Sequence, residues 1–365
     1  MDSPYRKELL VAIGAVQQAA KLSRAVLGSR DKGVIEKDDL SPVTVGDFAI
    51  QALLTATIHH AFPGDKFVGE ESSADLRANP NLLERVWNLL QSTGAEDKDS
   101  SCQVPSNKDE MCEMIDWCGS GVPGGPDAGR VWVFDPIDGT KTFVRGEMYA
   151  INVALLEGGK QVLSVVGCPL LAPDVQGPIS NDSIDPSGTG SILFAVRGHG
   201  AYIRPLPGAP ADVQPRRIER HAESVSTTGG LRNVTCATEL DSGVDEVHRA
   251  VAAELGVDFP GCDLLGWVPR WSALALGLGN MTVWVYRRPE RRGKIWDHAG
   301  AMLLFEEVGG KITDIKGKDI DLSVGRKMTA NAGFVAAPAD VHHKLLKTVQ
   351  DRLRADGKGD LLAPA

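Results

Sequence analysis

Apolar positions in the first part of the chain recur at helical spacing before the pattern changes. Leu9, Ile13, Val16, Ala20 and Leu27 predict a helix over residues 6–28, and Phe48, Ile50, Leu53, Leu54 and Ile58 predict a second. Residues 66–69 then read as a short strand, and 149–156 and 162–167 as two strands joined at 157–160. A hairpin follows at 192–203, so the first half is expected to be antiparallel sheet covered by helices. The second half alternates, with helical patterns at 244–255, 273–278 and 295–306, strands at 281–286, 311–313 and 333–337, and a last helix carrying Val341, Leu345, Val349 and Leu353. Such alternation predicts a smaller α/β domain. The Pro-rich run at 205–215 marks the expected boundary, giving an N-terminal α+β domain over 1–205 and a C-terminal α/β domain over 206–365. Residues 91–130, rich in Ser, Gly, Pro, Asp and Glu, read as an insertion or flap.

Composition narrows the chemistry. A net charge of −9 over 365 residues argues against a partner that is a nucleic-acid polymer or a membrane surface, so an anionic substrate needs local cations or bound metal. The six cysteines form no CxxC pair, which removes a zinc ribbon or a redox dithiol. No run of about 18 apolar residues occurs, and Met1-Asp2-Ser3-Pro4-Tyr5 has no apolar signal core. A cytoplasmic protein, monomer or homodimer, is the expectation.

Within this frame one stretch stands out: Val131-Trp132-Val133-Phe134-Asp135-Pro136-Ile137-Asp138-Gly139-Thr140. A strand ending in two carboxylates and a backbone-exposing turn can hold hard cations and a phosphate together. Asp47, Glu70 and Asp297 also fall at the ends of regular elements. Singly, Asp47 reads equally as a helix cap, Glu70-Glu71 as a solvated turn, and Asp297 as another cap. As a set of five with Asp135 and Asp138 they offer the all-oxygen ligands that Mg²⁺ prefers over zinc. Phosphate-ester hydrolysis suits such a site. A covalent aspartyl-phosphate route fits less well, because the second acid comes three residues after Asp135 and Pro136 intervenes.

Three ordered motifs, Gly69-Glu70-Glu71-Ser72, Asp135-Pro136-Ile137-Asp138-Gly139-Thr140 and Trp296-Asp297-His298-Ala299-Gly300, resemble those of the lithium-sensitive, Mg²⁺-dependent phosphatases that include inositol monophosphatase. Ser41-Pro42-Val43-Thr44-Val45-Gly46-Asp47 and Lys294-Ile295-Trp296-Asp297-His298 are most similar to fungal and plant 3'(2'),5'-bisphosphate nucleotidases. The resemblance implies a layered αβαβα sandwich and two to three Mg²⁺ ions. Glu70, Asp135 and the carbonyl of Ile137 would hold one, Asp135, Asp138 and Asp297 a second, and a weaker third would sit near Glu70 and Asp135. By the same resemblance Asp47 and Thr140 would activate the attacking water, and Gly139 and Thr140 would hold the scissile phosphate through N–H groups. The implied reaction is release of phosphate from a small phosphate ester, adenosine 3',5'-bisphosphate or its sulfated form. An inositol phosphate is the alternative. A silent metabolite-binding protein is a third reading, disfavoured because all five acids and Thr140 are present.

The chain departs from the resemblance where substrate is chosen. Gly266-Trp267-Val268-Pro269-Arg270 stands where those nucleotidases have Asp-Ser-Gln-x-x-Lys, and Thr238-Glu239-Leu240-Asp241-Ser242 replaces a Gly-His pair. Arg270 is expected to take over the lysine's phosphate contact. Trp267 offers a face for a base, or packs in the core.

Overall fold

The computed structural model describes residues 3–29, 31–37, 42–96, 102–207, 214–219, 230–238, 242–288 and 291–363. Parts of the predicted boundary run, of the 91–130 stretch and of the 238–242 segment lie outside these residues. Helix α1 (Arg6–Gly28) buries Leu9, Ile13, Val16 and Ala20, the stripe its spacing predicts. A short antiparallel pair, β1 (Ile35–Glu36) and β2 (Pro42–Val43), leads into α2 (Val45–Ala61). Every residue of α2 from Val45 to Ile58 is buried, so this helix is enclosed on all sides rather than amphipathic.

Next come β3 (Lys66–Gly69), α3 (Ala74–Ala78), α4 (Pro80–Glu96) and α5 (Lys108–Ser120). The stretch read as a flap is therefore largely helical. Met111, Cys112, Ile115 and Cys118 of α5 are buried in the core with α2 and Phe67 of β3. Polar residues between these positions masked the period, because only one face of α5 meets the core.

The principal sheet has seven strands in the order β3-β4-β5-β6-β7-β8-β9. After β3 these are β4 (Arg130–Asp138), β5 (Ala150–Glu157), β6 (Lys160–Cys168), β7 (Ser191–Val196), β8 (Ala201–Pro205) and β9 (Arg216–Arg217), with the helix α6 (Thr140–Arg145) after β4. All pairs are antiparallel except β3 with β4. Both faces are covered, which is why the strands read as continuous apolar runs. Alternation along β4 assigns the faces: Trp132 and Phe134 pack with α1, α2 and α5, whereas Val131 and Val133 pack toward the C-terminal half.

That second half begins with β10 (Val234–Thr235), α7 (Asp245–Glu254), β11 (Cys262–Asp263) and α8 (Trp267–Ala275). Helix α8 starts six residues before the predicted 273, because Pro269 lies in its first turn, where no N–H partner is required. There follow β12 (Thr282–Trp284), α9 (Ile295–His298), α10 (Ala301–Glu307), β13 (Gly310–Thr313), β14 (Phe334–Pro338) and α11 (Ala339–Ala355). Strands β12, β14 and β13 form a second sheet in that order. Phe334 and Ala336 of β14 face α8 and α10, while Val335 and Ala337 face α7 and α11. The layers are thus helices, seven-stranded sheet, helices, three-stranded sheet and helices, the αβαβα sandwich expected. No described helix is long and apolar enough to cross a membrane.

Candidate metal and phosphate site

Strand β4 carries its two acids to the middle of the molecule. Pro136 has no N–H to give the ladder, and the register with β5 shifts between Asp135 and Asp138. Both carboxylates are buried, Asp135 at 1% exposure and Asp138 at 8%. Asp135 accepts the Ile137 N–H at Oδ1 (3.1 Å), and Asp138 accepts the Val268 N–H at Oδ2 (2.6 Å). Asp297, in the short helix α9, reaches the same place from the C-terminal half. One carboxylate oxygen from each of Asp135, Asp138 and Asp297 lies within 4.8 Å of the others. Gly139 turns the chain from β4 into α6 at φ 89°, a left-handed conformation that a side chain strains, and an added Cβ would meet Thr142 Oγ1 at 2.7 Å.

Glu70 arrives beside this group because β3 runs parallel to β4, pairing Gly69 with Phe134. It does not join the close trio: Lys37 Nζ holds Glu70 Oε1 at 2.8 Å and Glu71 Oε1 at 2.6 Å. Burial opposes the charge on Lys37, but Glu70 and Glu71 outweigh it and hold its pKa above the usual lysine range. Asp47 completes a capping box at the start of α2, its Oδ2 accepting from Thr44 N (2.8 Å) and Thr44 Oγ1 (2.7 Å). Its Oδ1 is buried without a partner. The Thr140 hydroxyl donates to the Ile137 carbonyl at 3.2 Å.

The electrostatics of this group are those of buried carboxylates held close together. Burial and then Glu70, Asp138 and Asp297 push the Asp135 pKa well above the usual carboxylate range. Asp297 is raised in the same way by its surroundings, Asp138 and Glu70. Asp138 is pushed up to about 7 by burial, against the Val268 N–H and Arg270, which favour its anion. Asp47 rises to about 6 by burial, although the Thr44 bond opposes it. Carboxylates that close, with no histidine or thiolate among the trio and the orphaned Oδ1 of Asp47 outside it, fit a hard divalent cation.

Two expected substrate contacts are placed differently. Arg270 is 3% exposed and turned inward: Nε donates to the Leu264 carbonyl and Nη2 to that of Leu265, each at 2.7 Å. Its guanidinium lies 4.2 Å from the Trp267 ring centroid and 4.7 Å from that of Trp284. With Nε and Nη2 engaged and the guanidinium packed against two rings that meet edge to face, it braces the segment entering α8, while its Nη1 is buried without a partner. Trp267 is half-buried among Trp271, Trp284, His298 and Phe334, an aromatic packing role.

Two residues at the site escaped the sequence reading. Lys37 offered only a charge before a motif. Arg326 sits in an irregular segment, yet its Nη2 donates to the Gly69 carbonyl (2.6 Å) and its Nη1 to the Cys118 carbonyl (2.7 Å), bracing the chain at Glu70. Both line a cavity of about 700 Å³ together with Glu70, Glu71, Lys294, Trp296 and Lys327.

The inositol monophosphatase family profile matches residues 5–354. A 3'(2'),5'-bisphosphate nucleotidase of Emericella nidulans is 34% identical over 358 residues, covering 96% of this chain and 99% of the relative. One of Schizosaccharomyces pombe is 36% identical over 350 residues, covering 94% and 95%. Among solved structures, the Thermotoga maritima IMPase superposes with a TM-score of 0.58 at 19% identity, over 96% of this chain and 99% of that one. A 2'AMP-bound SaIMPase-II gives a TM-score of 0.55 at 17% identity, over 96% and 98%.

Proposed function

The chain belongs to the inositol monophosphatase family, and on that premise we propose that it is a Mg²⁺-dependent phosphoric monoester hydrolase acting as a 3'(2'),5'-bisphosphate nucleotidase. The observation that carries the reading is the meeting of Asp135, Asp138 and Asp297 within 4.8 Å at the end of β4. The names of the relatives support the substrate class, a nucleotide with 3'(2')- and 5'-phosphates; within it the substrate proposed is adenosine 3',5'-bisphosphate or its sulfated form.

In this reading Asp135, Asp138 and Asp297 would hold one Mg²⁺, and Glu70, Asp135 and the Ile137 carbonyl a second, with a weaker third near Glu70 and Asp135. Bound Mg²⁺ supplies an acidified water and offsets charge on the phosphoryl group and leaving oxygen. The chain's own part begins with Asp47. Its free, buried Oδ1 is the acceptor available for a proton, and the Thr140 hydroxyl, released from Ile137, orients the water toward phosphorus. The N–H groups of Gly139 and Thr140 hold the scissile phosphate at the left-handed turn. Enclosure between the two halves of the sandwich excludes bulk water and strengthens each of these contacts.

Phosphate release measured from adenosine 3',5'-bisphosphate, with and without Mg²⁺, tests the proposal. Mg²⁺-stimulated conversion to AMP is expected, and its absence would sink the assignment. A second reading, an inositol phosphate phosphatase, draws support from the inward placement of Arg270 and from an IMPase neighbour solved with inositol monophosphate. Higher kcat/KM on inositol 1-phosphate than on the nucleotide would select it.

A further inference from the structure

We propose that Lys294 and Lys327 form a subsite for the phosphate or sulfate group of the substrate that is not hydrolysed; the inference rests on a substrate with two anionic groups. Elimination among cations leads to the pair. The cavity at Glu70 is lined by Lys37, Lys294, Arg326 and Lys327. Lys37 is bound to Glu70 and Glu71, and Arg326 to the carbonyls of Gly69 and Cys118. Arg270, which favours the Asp138 anion, is buried against Trp267 and Trp284 with Nε and Nη2 bound to the carbonyls of Leu264 and Leu265. Lys294 and Lys327 remain.

Their backbone relationship gives the independent argument. Lys294 and Lys327 face each other across an isolated antiparallel bridge. The flanking bonds run from Ile295 N to Arg326 O and from Met328 N to Gly293 O, each 3.0 Å. That pattern makes Lys294 and Lys327 a non-hydrogen-bonded pair, the kind whose side chains lie closest together on one face. Like charges placed directly opposite destabilise a strand pair. Asp297 offsets part of the Lys294 charge from beyond ion-pair distance, but no carboxylate among the described residues forms an ion pair with either lysine. Glu36 and Asp75 line the same cavity, but neither forms an ion pair with these lysines, and the Lys294 ammonium rests 5.4 Å from the Trp296 ring centroid. Two cations held together on a cavity wall, three residues in sequence from Asp297, suit a doubly charged oxyanion that bridges both ammonium groups.

The test compares kcat/KM for adenosine 3',5'-bisphosphate with that for adenosine 3'-monophosphate, which lacks the second phosphate. In Lys327→Gln the ratio of the two is expected to fall about tenfold, the scale of one charge-assisted contact, and Lys327→Arg should restore most of it. Lys294→Gln should act in the same direction. A ratio unmoved in both glutamine variants overturns the subsite, and so does a wild-type enzyme indifferent to a second phosphate. Failure of the nucleotidase reading shows separately, as wild-type preference for inositol esters. The same ratio is then read with inositol 1,4-bisphosphate against inositol 1-phosphate, and the same outcomes decide.

Discussion

Asp138 Oδ2 and the backbone N–H of Val268 meet at 2.6 Å although 130 residues separate them. The contact joins the end of the large sheet to the first turn of α8, and it depends on the segment 264–268 keeping its path. Gly266 is needed there, since a Cβ on it would stand 2.6 Å from Asp138 Oδ2. Arg270 supports the same segment from beneath through Leu264 and Leu265.

Arg270→Ala should therefore destabilise the fold by about 3 kcal/mol or more, since two carbonyls lose their donor and the space beside Trp267 and Trp284 empties. Arg270→Lys keeps the charge but cannot reach both carbonyls while stacking, so about 1–2 kcal/mol is expected. Urea denaturation checks both. A lysine variant as stable as wild type would show that the fork and the stack are dispensable.

Asp135→Asn removes the acid central to the repulsive cluster. In EDTA its melting temperature should equal or exceed that of wild type, because burial of one anion is avoided. Added Mg²⁺ should raise the wild-type melting temperature by mass action and leave the variant unmoved. Turnover should fall by roughly three orders of magnitude or more. Retained activity with a full Mg²⁺ shift would dismiss Asp135 as a ligand.

Asp138 and Asp47 have pKa values raised to about 7 and about 6. Below those values both carry protons; the one on Asp138, a proposed ligand, must leave before a cation binds, and the nearby cation favours loss of the one on Asp47, so metal binding and proton release are linked. The Mg²⁺ concentration for half-maximal thermal stabilisation should therefore fall as pH rises from about 6 to about 8. A titration flat across that window would contradict the linkage.

His248 is buried beside Trp284, its Nε2 accepting the Val285 N–H at 2.9 Å, and burial depresses its pKa to about 3. The neutral ring is favoured in the folded chain, so the unfolded chain binds the extra proton. Its stabilising contribution is complete above an unfolded pKa of about 6.5 and declines as pH falls toward 3, by up to about 1.4 kcal/mol per pH unit. Wild type should lose more stability than His248→Gln between about pH 6.5 and pH 5. Parallel losses in urea titrations would rule this source out.

The sandwich was legible where burial is regular. The helix at 6–28, the hairpins around 157–160 and 197–200 and the final helix carry strong periods, and α1, the pairs β5–β6 and β7–β8, and α11 follow them. Helix α5 escaped because its single buried face is interrupted by polar residues. The acids at 135, 138 and 297 could be gathered from motifs, since strand ends and helix starts bring them to one point. Arg270 could not be read so. Its charge and position matched a ligand contact, and only its bonds to two main-chain carbonyls and the rings it packs on show that it faces inward. Lys37 and Arg326 were invisible for a related reason: their partners are one remote acidic pair and main-chain carbonyls, which leave no local pattern.

Arg326 also bears on how the protein is made. Its guanidinium ties Gly69 and Cys118, in the first third of the chain, to a segment translated more than two hundred residues later. Until that arginine and Asp297 have emerged from the ribosome, the loop at Glu70 is held by Lys37 alone on its acidic side, without the arginine brace on its backbone, and the trio lacks its third acid. A growing chain thus acquires phosphate-releasing ability only near the completion of its synthesis, and fragments released early should remain inert toward the cell's phosphate esters.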